Sequence, residues 1–270
     1  MTFTQAIEQD GRLLLDGATG TCLLPNGIIG LETTGATCDQ LCLTAPRRVE
    51  LLHKQYIEAG ADVITTNTFN LPDPAVCRAA VTIARNAMAA AGRKVFIAGN
   101  LGPGGPRGRV SQAVEAFVDS GVDLLILESI YSLNHLITAI PAIKQAGLPT
   151  VICATPLLNG MLPSGESLQR FIELSCEAQA AVMGLNCGYG PAHLASALSA
   201  LNGLKMPLAV MPSAGLPEQG YLNAQYFASE CHTLISNPAV KLVGGCCGTT
   251  PAHITALRAM IDANNCKTEQ

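Results

Sequence analysis

The chain has no tryptophan, and only 4% of its 270 residues are aromatic and 13% charged. So little charge beside 49% hydrophobic residues excludes an intrinsically disordered chain and a coiled coil, both of which depend on abundant charge. No run of Lys or Arg exceeds two residues and the net charge is −4, which argues against nucleic acid or an anionic membrane as the main partner. No uninterrupted apolar stretch approaches the ~18 residues that a membrane helix needs. The opening segment MTFTQAIEQDGR carries neither the basic nor the apolar region of a signal peptide, so a cytoplasmic protein is expected. What the chain does have is eleven cysteines. Their number is odd and they are scattered along the chain, which reads as reduced thiols rather than a disulfide framework and raises the question of metal binding.

Short β-branched or Leu-rich runs alternate with longer segments of helical period to the end of the chain. Strands are predicted over 12–16, 62–66, 94–99, 123–128, 149–154, 180–185, 207–211 and 239–244. Helices are predicted over 45–59, 74–91, 111–120, 133–146, 167–178, 191–202, 223–236 and 251–263. Gly60, Gly92, Gly121 and Gly147 fall where helices should stop, and Thr250-Pro251 is a helix start. Eight strands, each followed by a helix, are the count of an α/β (β/α)8 barrel (TIM barrel) in a single domain. The rival, an open doubly wound sheet, would usually have fewer strands and a glycine-rich first turn. The glycine-rich stretch Gly102–Gly108 is a poor phosphate loop, because its prolines remove amide donors.

In such a barrel the chemistry lies just past the C-terminal ends of the strands. Those positions hold Asp16-Gly17-Ala18-Thr19, Asn67, Asn100, Glu128-Ser129, Asn186-Cys187-Gly188 and Gly245-Cys246-Cys247-Gly248. Histidine is missing from the set: His53, His135, His193, His232 and His253 all fall in predicted helices. General acid–base catalysis by histidine and a histidine-ligated hydrolytic metal are therefore not expected. Asn67 and Asn100 read as loop-shaping residues.

Cysteine is concentrated at these ends, with Cys187 closing strand 6 and Cys246-Cys247 closing strand 8. Adjacent side chains on a regular strand point to opposite faces, so the pair needs the freedom of Gly244, Gly245 and Gly248 to converge. Three converging thiolates would suit zinc and would leave one tetrahedral position open, as catalytic zinc sites do. Buried cysteines packed as small hydrophobes, or a strained vicinal disulfide, are the other readings of the same residues. For Cys22, Cys38, Cys42, Cys77, Cys153, Cys176, Cys231 and Cys266 the packing reading is the expectation.

Five ordered segments make the chain resemble the homocysteine S-methyltransferase family: LLLDGATGT at 13–21, EAGADVITTNTF at 58–69, GVDLLILES at 121–129, GLNCG at 184–188 and VGGCCGTTPAHI at 243–254. The resemblance covers essentially the whole chain and implies one homocysteine-binding domain over 1–270, a zinc-containing barrel. It implies Cys187, Cys246 and Cys247 as zinc ligands, Asp16 and Glu128 at the substrate ammonium, and the amides of Gly17, Ala18 and Thr19 at its carboxylate. Asn186 matches the asparagine before the zinc cysteine and joins Asp16 and Glu128 as a catalytic expectation. The implied activity is transfer of a methyl group to homocysteine, held as a thiolate on zinc, to give methionine. A free thiol is mostly protonated at neutral pH and zinc deprotonates it, so no general base is needed at that step.

The segments after strand 2 (NLPDPAV) and strand 3 (LGPGGPRGR) look short against the family pattern, which trims the walls of the mouth. An open mouth suits a methylcorrinoid such as methylcobalamin, free or on a corrinoid protein, since these residues hold no corrinoid-binding domain. The chain lacks tryptophan, the best residue for caging a quaternary ammonium, and Tyr131, Tyr189 or Tyr221 would have to substitute for it. The alternatives are an S-methylmethionine-dependent homocysteine methyltransferase, demethylation in reverse onto a corrinoid carrier, and a non-catalytic zinc- or thiol-binding barrel.

Overall fold

A computed structural model describes residues 1–9, 11–24, 35–70, 72–103, 107–215 and 220–268. Residues 104–106 of the glycine-rich stretch, Leu71 of the segment after strand 2 and the side chain of Cys266 lie outside the described residues. Eight parallel strands follow one another around a single sheet: β1 (Leu13–Leu14), β2 (Val63–Thr65), β3 (Phe96–Leu101), β4 (Leu124–Ile130), β5 (Thr150–Ala154), β6 (Val182–Cys187), β7 (Leu208–Pro212) and β8 (Val240–Val243). β1 pairs with β8 on one side, and a Leu15–Val63 bridge with the Asp62 N–H donating to Leu14 O at 2.6 Å joins it to β2 on the other. The seam is reinforced by the Asp62 carboxylate, which accepts the Leu14 N–H at 2.9 Å and pairs with Arg93 and Arg258. A sheet closed on itself excludes the open doubly wound alternative and makes the single domain a (β/α)8 barrel.

Strand alternation sorts the side chains. Leu15, Val63, Ala98, Leu124, Ile126, Val151, Cys153, Val182, Ala209, Met211 and Leu242 pack together inside the barrel, and the intervening residues meet the helices. Phe3 and Ile7 of a first helix, α1 (Phe3–Ile7), join the inner cluster beside the strand starts, with the Phe3 ring edge-on to Phe96 at 5.7 Å. This helix closes the N-terminal end of the barrel. Its start is a reciprocal Thr2–Gln5 cap, a signature present in the sequence but absent from the helices expected there.

The outer layer comprises α2 (Gly20–Leu23), α3 (Gly35–Thr44), α4 (Pro46–Glu58), α5 (Pro74–Ala91), α6 (Arg107–Ser120), α7 (Leu133–Ala146), α8 (Leu168–Glu177), α9 (Pro191–Leu198), α10 (Ala224–Ile235) and α11 (Pro251–Thr268). Gly92 and Gly147 end their helices with φ of 63° each, as expected of glycine in that role. Three differences stand out. α2 and α3 interrupt the first β–α connection, where the sequence has no helical period to announce them. α6 starts at Arg107, four residues before the predicted start, because the apolar pattern begins only at Val110. α9 ends at Leu198 and tightens into a 3₁₀ turn, Ser199–Leu201, before Asn202 turns extended. Among the described residues no helix is long and apolar enough to cross a membrane.

His53 on α4 is fully buried, and neither ring nitrogen has a hydrogen-bond partner among the described residues. Burial pushes its pKa down to about 4 from an ordinary value of 6.5, so the folded state favours the neutral ring. Stability is therefore lost as pH falls from about 6.5 toward 4, reaching about 2 kcal/mol from this group near pH 5. His53→Leu should lose less stability than the parent between pH 7.5 and pH 5, read as denaturation midpoints. Equal losses in the two proteins would remove His53 from the acid limb.

Candidate metal and acceptor site

The inward-facing period carried to the ends of the strands defines the floor of the mouth. Asn100 pairs in register with Ile126, two residues before Glu128, and Asn186 lies two residues beyond the inner position of Gly184. The Asn100 amide donates to Glu128 Oε1 at 2.8 Å, and Asn186 Nδ2 donates to Glu128 Oε2 at 3.2 Å. Asn186 Nδ2 also lies 2.9 Å from Ser129 Oγ and 3.9 Å from Cys246 Sγ, while its Oδ1 accepts the Ser129 N–H at 2.9 Å and the Thr155 hydroxyl at 3.3 Å. One polar chain thus runs from β3 through β4 and β6 to the thiols after β8. Asn100, expected only to shape its loop, is a direct partner of Glu128 and keeps a buried Oδ1 without a partner among the described residues.

Cys187 would face outward if β6 continued regularly, since Asn186 before it faces in. Its φ of 60° and the 68° of Gly188 break the strand and swing the thiol to the inside. After β8, Gly248 takes φ of 78°, whereas Gly245 is required by close packing: a Cβ there would lie 2.4 Å from Thr249 Oγ1. The result is Cys187 Sγ at 3.7 Å from Cys247 Sγ and Cys246 Sγ at 3.9 Å from Cys247 Sγ. All three sulfurs lie within 4.8 Å of one another, the one grouping of potential metal-ligating side chains among the described residues. The described cysteines are all free, so the vicinal disulfide is not formed; most of the others are buried, Cys22 is half-buried and Cys176 is exposed.

These thiols share protons. Cys187 is held well below the ordinary thiol value by hydrogen bonds from Cys246 and Cys247, and those two are pushed up in return. Ionisation of one thiol is thus favoured at the expense of the other two, and three thiolates in this space would need a cation. Three sulfurs with no histidine beside them are a donor set that fits zinc.

Asp16 and Glu128 flank the thiols. Asp16 is buried, accepts the Thr65 N–H at 2.8 Å and the Thr65 hydroxyl at 3.1 Å, and desolvation raises its pKa to about 8, with Glu128 adding repulsion. Desolvation likewise lifts Glu128 to about 7 against the bond from Asn100. Two acids that resist ionising in isolation are suited to receiving a cationic group. Of the Gly17–Thr19 amides, that of Ala18 is already committed to Thr249 Oγ1 at 3.0 Å. Sequence reasoning does not single out Thr65, Thr249 or Tyr56, the last lying on an outer helix; each is legible only through the bond it makes here.

A family model described as homocysteine S-methyltransferase matches residues 13–261. The methionine synthases of Mycobacterium tuberculosis and Mycobacterium leprae are 30% and 29% identical to the chain over 291 positions, covering 91% of it. The chain spans 24% of the length of either relative. The apo form of the homocysteine methyltransferase MmuM from Escherichia coli is 26% identical, with a TM-score of 0.74 over 94% of this chain and 97% of that one. Its metallated form gives a TM-score of 0.78 over 93% and 96%, at 24% identity, a likeness of fold. A match that runs from the first barrel strand into the last helix leaves no strand of the barrel unaccounted for, and the chain belongs to the homocysteine S-methyltransferase family.

Proposed function

We propose that the chain, acting over 1–270 as a homocysteine-binding domain, holds zinc on Cys187, Cys246 and Cys247 and transfers a methyl group to the homocysteine thiol to give methionine. The observation that carries this reading is the meeting of three sulfurs within 4.8 Å beside two desolvated acids in one barrel mouth. When bound, zinc supplies the acidity that turns an acceptor thiol into a thiolate at neutral pH. The chain does the rest. Asp16 and Glu128 accept the ammonium, the Gly17–Thr19 segment faces the carboxylate, and Asn186 orients Glu128 while reaching toward Cys246. A mouth of free thiols belongs in a reducing compartment, which supports a cytoplasmic location.

The donor we propose is a methylcorrinoid, delivered free or on a separate corrinoid protein. Tyr131, Leu158, Tyr189 and Tyr221, one from each of the loops after β4 to β7, are exposed around the rim. A broad apolar rim suits a large donor better than a small cation that must be enclosed to be bound.

Three outcomes are expected. Purified protein should carry about one zinc per chain by elemental analysis, and Cys246→Ala/Cys247→Ala should lose most of it; undiminished zinc would end the assignment. Asp16→Asn and Glu128→Gln should each raise the homocysteine KM about 30-fold, the equivalent of about 2 kcal/mol, with zinc content unchanged. Unaltered kinetics in both would return the two acids to a structural role. Zinc-loaded protein should methylate homocysteine from methylcobalamin faster than from S-methylmethionine or betaine. The reverse order would overturn the corrinoid donor while leaving the acceptor site standing.

A further inference from the structure

Tyr56 lies on outer helix α4, is fully buried, and sends its hydroxyl into the space between the loops that follow β1 and β8. There it donates to Ala18 O at 2.8 Å and lies 3.4 Å from Thr249 O. Thr249, also fully buried, donates from its hydroxyl to Cys246 O at 2.6 Å while the same oxygen accepts the Ala18 N–H at 3.0 Å. Both backbone groups of Ala18 are therefore taken, one by each residue, and Thr249 bonds a thiol-bearing residue at the same time. The packing leaves no slack: a Cβ on Gly17 would lie 2.7 Å from Thr249 Oγ1 and 2.9 Å from the Tyr56 hydroxyl. A second crossing runs parallel, the Gly248 N–H donating to Thr21 Oγ1 at 3.2 Å.

Two loops tied through one buried set of hydrogen bonds cannot order independently. Whatever fixes the Gly17–Thr19 segment also fixes the Cys246 carbonyl, and ligand effects between linked sites are reciprocal. We infer that Tyr56 and Thr249 are positioning residues that couple acceptor binding at the β1 loop to metal retention at the thiols. The inference rests on the acceptor and zinc reading above, but assigns the coupling to residues that touch neither ligand.

The test uses the zinc-loaded protein and L-2-aminobutyrate, which has the amine, carboxylate and carbon stem of homocysteine but no sulfur to bind the metal. Zinc release to a chromogenic chelator is timed with and without it, and its binding is measured separately by calorimetry. In the parent protein, saturating aminobutyrate should slow release about fivefold or more. Tyr56→Phe, which loses the bond to Ala18 O, should release zinc about tenfold faster unaided, Thr249→Val, which loses two buried hydrogen bonds, at least as fast, and each should retain less than twofold protection. Thr249→Ser, which keeps the hydroxyl, should behave as the parent. Thermal unfolding identifies any variant that does not fold; the two lesions break the same path at different residues, so either suffices. Aminobutyrate that binds the parent without slowing release, or protection undiminished in both variants, overturns the coupling. Absence of aminobutyrate binding to the parent overturns the acceptor reading itself, and the coupling with it.

Discussion

Asp16, Glu128 and the thiols of Cys187, Cys246 and Cys247 all ionise to anions, and they share one desolvated mouth. Left to themselves they cannot all do so: both carboxyls are lifted toward neutrality and two of the three thiols hold their protons more tightly than usual. Protons act as placeholders for cations. A divalent metal at the sulfurs and an ammonium at the carboxyls would each take the place of protons and relieve the repulsion at its own end. The neutral amides of Asn100 and Asn186 fit this arrangement. They satisfy Glu128 without a fixed positive charge that would compete with a ligand.

Bringing these groups together costs backbone freedom, and the cost falls at few positions. Cys187 and Ser129 take left-handed φ values of 60° and 58° although neither is glycine, and both contribute to the floor of the mouth. The surroundings hold them there. Ser129 is fixed by Asn186, which accepts its N–H and meets its hydroxyl. Beyond Cys187, the Ser213 N–H donates to Cys187 O at 3.1 Å and Ser213 Oγ donates to Gly188 O at 2.6 Å. The strained turn is thus tied on its far side to the end of β7. Strand regularity below and hydrogen bonding above together set where each sulfur lies.

The barrel was legible because its signals are local and repeat eight times: β-branched runs, helical period, and glycines where helices stop. Position at the strand ends raised the thiol trio as one of several readings, and the family resemblance singled it out together with Asp16 and Glu128; the structure brings the three sulfurs within 4.8 Å of one another. The residues that hold the site were not legible. Thr249 reads as an ordinary residue after a glycine, and Tyr56 as one more apolar position on an amphipathic helix. Their roles depend on a contact between residues 193 apart in sequence, which no local period encodes. Asn100 was legible in position but not in role, since an asparagine at a loop start has a local bond to make; only the β3–β4 register sets it against Glu128. α3 shows the converse limit, a helix whose apolar residues follow no clean period.

The histidines account for the site's reliance on thiols and carboxyls. His193 Nδ1 accepts the Tyr189 N–H at 3.1 Å, which steadies the loop just beyond Cys187. His253 Nδ1 accepts the Thr250 N–H at 3.2 Å, and its Nε2 lies 2.8 Å from Leu222 O. A carbonyl can only accept, so that nitrogen carries the proton and the neutral ring bridges the loop after β7 to the start of α11. Each ring nitrogen engaged in this way is committed to architecture and is not free to relay protons. Transfer of a methyl group to a thiolate requires no such relay once the acceptor has lost its proton. The imidazoles can therefore brace the loops on either side of the thiols, and the mouth can be built from groups whose only shared demand is for positive charge.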